Sequence, residues 1–199
     1  MIKHILAAVL TVASLTAICQ PKKGPKMAPV TAEGYYVSAK GDTVRGVIQV
    51  NPEDPTELYR QFNFGKAGGK LMPINGKKAK AYGYDNHHFI VYNLDGEDIF
   101  IERLATGRLN LFEYKHDGKI DGNPAIVSDY FAQDTRAEGE DAGLKDIKKF
   151  STKFYKKDLK NYMKDQPTIW NDLDKFTFDL KTVISAFNEF NKYYVITAD

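Results

Sequence analysis

Two adjacent histidines, one cysteine, scattered carboxylates and a run of lysines are the residues of this chain whose chemistry goes beyond packing. His87 and His88 are the first to weigh as metal ligands. Neighbours on a strand point to opposite faces, so the two imidazoles do not readily close on one ion. Zinc needs further ligands in a tetrahedral set, and Asp85, Glu102 or His116 supply them only if folding brings them close. The expectation is a strand start with one histidine partly buried, no metal and no cofactor. Glu102 and Glu113 fall on neighbouring expected strands, where isolated carboxylates usually face water. Glycosidase chemistry needs two such groups at a set separation. Glu138, Glu140 and Asp141 lie in the polar stretch DTRAEGEDAG. They lack the ligand spacing of a calcium loop and read as a solvated acidic surface. The chain carries no Gly-x-Ser-x-Gly elbow, no phosphate loop and no His-Glu-x-x-His.

The lysines are the least random feature. Lys145, Lys148, Lys149, Lys153, Lys156, Lys157, Lys160 and Lys164 follow one another closely, offset in part by Asp146, Asp158 and Asp165. Leu144, Ile147, Phe150, Phe154, Leu159 and Met163 recur at near-helical spacing, which predicts a single basic helix. Its candidate binding face is Lys149, Lys153, Lys156, Lys157 and Lys160, for an acidic envelope partner or an anionic headgroup. Such a face also serves simply as a solvated one. Nucleic acid is not expected, since the net charge is only +2 and the run lacks arginines interleaved with exposed aromatics.

The lone cysteine, Cys19, closes an apolar leader. Lys3 and His4 precede an apolar run of about fourteen residues, the form of a secretory signal peptide and short for a bilayer span. Ala17 and Cys19 are small residues at the positions that signal peptidase reads, so cleavage before Gln20 is expected. The chain is then periplasmic or secreted, and a catalytic cysteine drops out. The alternative is a lipid anchor on Cys19, although Ile18 is large for the residue before an acylated cysteine. No later segment is apolar enough to cross a membrane. Residues 20–32, with three prolines and three lysines, read as an extended spacer.

The remaining 33–199 reads as one α+β domain, mainly β over 33–132 and mainly α over 144–194. The chain has 199 residues, 43% hydrophobic and 27% charged, enough for one sizeable core. Tyr35–Ser38 and Thr43–Val50 suggest a hairpin around Ala39–Asp42. Leu58–Phe64 reads as a strand, and Ala79–Tyr84 as another. The clearest signal is Asp95-Gly96 between His88–Asn93 and Ile99–Leu104, the chemistry of a type I′ hairpin. Leu109–Tyr114 follows, then a turn at His116-Asp117-Gly118, then Ala125–Phe131. The spacing predicts a curved antiparallel meander or partly closed barrel, followed by two or three helices. Pro167 opens a short helix with Ile169, Trp170, Leu173 and Phe176 on its buried side. Thr177 is the expected cap of a final helix, with Asp179 near its positive end and Leu180, Val183, Ile184, Phe187 and Phe190 as its apolar stripe.

Gly34-Tyr35-Tyr36-Val37 followed by Lys40-Gly41-Asp42-Thr43-Val44-Arg45-Gly46 resembles the opening of a group of exported proteins of Bacteroidota-type bacteria. Tyr162–Pro167, Asp174-Lys175-Phe176-Thr177 and Phe190-Asn191-Lys192 resemble that group's C-terminal helical segment. The resemblance implies export in a double-membraned bacterium. The group has no established activity, so no catalytic residue is carried over.

Three functional readings follow. The first is an exported, non-enzymatic binding or interaction protein of the cell envelope. The second is a carrier of a small apolar ligand or lipid, with the numerous tyrosines and phenylalanines lining a pocket in the sheet. The third is a hydrolase using surface carboxylates.

Overall fold

The computed structural model describes residues 27–196. The leader, Cys19 and most of the expected spacer lie outside the described residues. The elements are β1 (Val30–Ser38), β2 (Thr43–Val50), α1 (Glu57–Arg60), β3 (Gln61–Gly65), β4 (Met72–Asn75), β5 (Ala79–Tyr84), β6 (His87–Leu94), β7 (Glu97–Ala105), β8 (Leu109–Ile120) and β9 (Asn123–Asp134). A 3₁₀ segment (Gly139–Lys145), β10 (Lys148–Phe150), α2 (Tyr155–Leu159), α3 (Pro167–Asp172) and α4 (Leu180–Ile196) complete the chain. The fold is α+β, built on one curled antiparallel sheet.

The ten strands run in the order β10-β9-β8-β7-β6-β5-β1-β2-β3-β4. Two observations show how strongly the sheet curls. β4 and β5 stand four strand spacings apart, about 19 Å in a flat sheet, yet only residues 76–78 join them. Four Cα steps reach at most about 14 Å. In addition, Phe62 on β3 and Phe100 on β7 bring their rings within 5.6 Å across the inside of the curl.

One row of cross-strand partners explains what fills that inside. Tyr36 pairs with Tyr82, Tyr82 with Phe89, Phe89 with Glu102, Glu102 with Glu113, Glu113 with Tyr130, and Tyr130 with Phe150. Direct partners share a face of the sheet, so the row crosses six of its strand pairings on a single side. At one end Phe62, Tyr82 and Phe89 stack, with centroids 4.0 Å and 4.5 Å apart. At the other end Leu109, Leu111, Ala132 and Phe150 receive Leu159, Met163, Val183, Phe187 and Phe190 from the helical region. The helices therefore close one end of the curl, and aromatic rings occupy the rest.

The turns follow backbone chemistry. Asp95 and Gly96 adopt φ of 52° and 92°, as a type I′ hairpin requires. The turn expected at His116-Asp117-Gly118 is instead continuous β8. Gly118 pairs with Ala125 there, and the chain reverses at Asp121-Gly122, with φ of 51° and 84°. A second aspartate–glycine pair thus sits just beyond Asp117-Gly118 and makes the turn.

Other boundaries also move. Val30, Thr31 and Ala32 belong to β1 rather than to a spacer, because they pair with Val50, Gln49 and Ile48. Leu58 and Tyr59 lie in α1, not in a strand. The Asp54 carboxylate accepts the N–H groups of Thr56 and Glu57 and the Thr56 hydroxyl, which bends the chain before β3. The single basic helix is not formed. Lys148, Lys149 and Phe150 pair with Ala132, Phe131 and Tyr130, so they satisfy the outer edge of β9. Only Tyr155–Leu159 is helical in that stretch. The cap of α4 is Asp179 rather than Thr177, since its Oδ2 accepts the N–H and hydroxyl of Thr182.

Candidate functional site: a lysine-walled aromatic cleft

α2 and α3 are short, and neither would hold as an isolated helix. They are tied to each other through polar groups. Trp170 Nε1 donates to the carbonyl of Lys156 at 2.7 Å. Lys156 Nζ returns to the carbonyls of Asn171 and Leu173, at 2.9 Å and 2.6 Å, at the C-terminal end of α3. A cation there meets carbonyls left without helical partners. Tyr155 Oη donates to the carbonyl of Asp174 and, at 3.1 Å, to that of Thr177, so the segment after α3 is pinned as well.

The result is a concave surface of about 540 Å³ lined by Lys153, Phe154, Lys156, Lys157, Lys160, Trp170 and Lys175. Trp170 is a half-buried part of that lining. The ammonium groups of Lys156 and Lys160 stand 5.0 Å and 5.4 Å from its ring. Lys153 stands over Phe154 at 5.4 Å. Among the described residues, no carboxylate approaches within 4.0 Å of the ammonium of Lys153, Lys156, Lys157, Lys160 or Lys175, while Lys149 and Lys164 are each paired. Asp174 is an acidic group close enough to feel the charge of Lys156. Its carboxyl is held below the usual range by the N–H groups of Phe176 and Thr177, with a smaller contribution from Lys156. Its charge is thus committed to the loop that follows α3.

Four of the five expected binding lysines therefore line this cleft: Lys153, Lys156, Lys157 and Lys160. Lys149 does not. It sits on β10, and its ammonium lies 2.6 Å from Asp129 on β9. Within the four, Lys156 serves mainly to clasp α3. Trp170 and Lys175 were not legible as site residues, because a fold-back of the chain brings them to Lys153–Lys160. Phe176 is not on a buried side: it is 87% exposed.

The sheet carries a second concentration of chemistry. Glu102 and Glu113 do not face water; they are direct cross-strand partners and only 8% and 4% exposed. Glu102 Oε2 accepts the Tyr59 hydroxyl at 2.8 Å, and its Oε1 lies 2.6 Å from His87 Nδ1. Glu113 Oε1 accepts from Ser128 at 2.7 Å and Tyr130 at 3.3 Å, and its Oε2 pairs with Lys115 at 3.2 Å. Burial, then the charges of Glu102 and Glu113, hold the Tyr59 hydroxyl far above its usual range. Burial, then Glu102 and Asp85, push Tyr84 up to about 12. Every carboxylate oxygen of the pair is engaged by a protein group, an arrangement that fixes strands. His88 leaves the pair altogether and stands 3.2 Å from the Tyr35 hydroxyl. Among the described residues no group of three or more histidines, cysteines and carboxylates is placed to hold a metal ion. Nor, among them, is any helix long and apolar enough to cross a membrane.

The chain's likeness to known proteins adds no constraint to this geometry: no family model, no curated protein and no solved structure matches it.

Proposed function

We propose that this chain is an exported, non-enzymatic binding protein of a bacterial cell envelope, and that the cleft on α2 and α3 takes an anionic group of its partner. The observation that carries this reading is the set of lysines without carboxylate partners around the half-buried Trp170. Clustered like charges repel, and an anion placed among them relieves that repulsion while the ring supplies a stacking or apolar surface. Export rests on the leader read in the sequence. The carrier reading has less support, since Phe62, Tyr82, Phe89 and Phe100 occupy the inside of the curl. The hydrolase reading has less support too, since Glu102 and Glu113 are committed to protein donors.

Trp170 is the chain's only tryptophan, so its emission reports on the cleft alone. Titration with a soluble polyanion such as dextran sulfate at low ionic strength is expected to shift or quench that emission. The charge reversals Lys157→Glu and Lys160→Glu together are expected to abolish the change. An emission spectrum that ignores the polyanion would defeat the proposal.

A further inference from the structure

The cleft has a rim that a soluble anion does not explain. Phe176 is 87% exposed and Phe154 56% exposed, two phenylalanines set out in water beside the lysines. Phe176 is not merely a loose side chain. The Asp174 carboxylate accepts its backbone N–H at 2.6 Å and that of Thr177 at 2.7 Å, which fixes the loop that presents it. The Lys175 ammonium stands 5.5 Å from its ring. Exposed rings held next to unpaired lysines match what a bilayer interface offers: anionic headgroups for the ammonium groups and an acyl boundary for the rings. Lysines near such a surface snorkel, with their stems along apolar surface and their charges at headgroup level.

We infer that the cleft is a docking surface for an anionic lipid bilayer. Phe176 and Phe154 enter the interface, and Lys153, Lys157, Lys160 and Lys175 engage the headgroups. This rests on the anion-binding reading above and names the kind of partner. The protein lies on the membrane through this face. A sulfated polyanion with no apolar phase to offer would use the lysines and leave Phe176 in water, and that difference separates a bilayer from a soluble source of negative charge.

The test uses the chain that begins at Gln20, without lipid. It is sedimented with vesicles of phosphatidylcholine alone and of phosphatidylcholine mixed with phosphatidylglycerol, and Trp170 emission is recorded on both. The expected result is binding to the mixed vesicles at least about ten-fold tighter than to the neutral ones, with a blue shift of the emission. Phe176→Ser is expected to weaken vesicle binding about ten-fold, from the loss of one buried ring, while leaving the dextran sulfate titration unchanged. The side chain is exposed, so this variant folds, and its circular dichroism and melting curve confirm that. Binding of the polyanion without binding of anionic vesicles would overturn the docking inference and leave the anion-binding reading intact. Vesicle binding that Phe176→Ser does not weaken would overturn it as well. Failure to bind either probe would overturn both. Equal binding to neutral and anionic vesicles would remove the role assigned to the lysines.

Discussion

The row of partners across the sheet and the cleft on the helices are both rich in charge and aromatic rings, and they use them in opposite ways. In that row both charges have partners: Glu102 meets Tyr59 and His87, and Glu113 meets Ser128, Tyr130 and Lys115. The rings there are buried against one another. In the cleft the ammonium groups lack carboxylate partners, and two rings beside them face water. A buried charge without partners is costly enough to be removed or neutralised. An exposed one costs little and stays available. The contrast separates groups that hold the fold from groups that the fold leaves exposed.

The contrast breaks most visibly in the sheet. Tyr82 is fully buried, stacks on both Phe62 and Phe89, and donates to the carbonyl of Leu58. Tyr82→Ala removes its ring contacts with Phe62, Phe89 and Phe100, opens a cavity and leaves that carbonyl without its donor. The expected loss is about 3–5 kcal/mol of unfolding free energy. Urea denaturation followed by circular dichroism measures it. A loss below about 1 kcal/mol would mean that the inside of the curl is not a tightly filled core.

How much of this was legible follows the same division. The Asp95-Gly96 hairpin was visible because its signal is local: two residues that tolerate positive φ between two apolar runs. The curved antiparallel sheet and the helices after it were visible from strand spacing and a change of period. The opposition of Glu102 and Glu113 was not. The β7–β8 register shifts between Arg103 and Ala105, so Leu111 opposes Ala105 while Glu113 opposes Glu102. Without that shift Glu102 would stand opposite Tyr114. An irregularity of one residue moves a side chain to another partner, and nothing in the residues around Leu104 announces it. The basic helix failed for a related reason. Leu144, Ile147 and Phe150 do follow a helical spacing, but β9 has an open edge, and pairing with it outweighed the local preference over Lys148–Phe150. Four of the five lysines still lined one surface, because the short α2 holds Lys156 and Lys157 and its ends hold Lys153 and Lys160. Trp170 and Lys175 joined them only through the fold-back of the chain.

The contrast sharpens with pH. Burial raises Tyr84 and Tyr162 to about 12, with Glu102 next for Tyr84 and Asp134 next for Tyr162. In the unfolded chain both hydroxyls ionise near 10. The folded pKa values are raised, so the unfolded chain releases these protons first. Their contribution to stability is fully present below about pH 10 and is lost as pH climbs from about 10 to about 12. Urea midpoints are expected to stay level up to about pH 9 and then fall steeply. Tyr162→Phe, which removes one of the raised tyrosines, is expected to make the fall shallower. A midpoint that falls equally in that variant would show that Tyr162 is not a source of the alkaline loss.

The smallest stability effect belongs to the cleft, and its smallness is what matters. Lys157 is exposed on α2, with no carboxylate near its ammonium among the described residues. Lys157→Ser removes a charge from a crowded cationic wall and exchanges one exposed side chain for another. The loss in helix propensity and the relief of repulsion are each a few tenths of a kcal/mol and opposite in sign. The unfolding free energy is therefore expected to change by less than about 0.5 kcal/mol, while binding to the polyanion weakens measurably. A variant that binds normally but unfolds easily would place Lys157 among the groups that hold the fold, beside Lys115 and Lys156. A variant that keeps its stability and loses binding would mark the lysine wall as surface the fold does not need, which is the condition for its serving a partner.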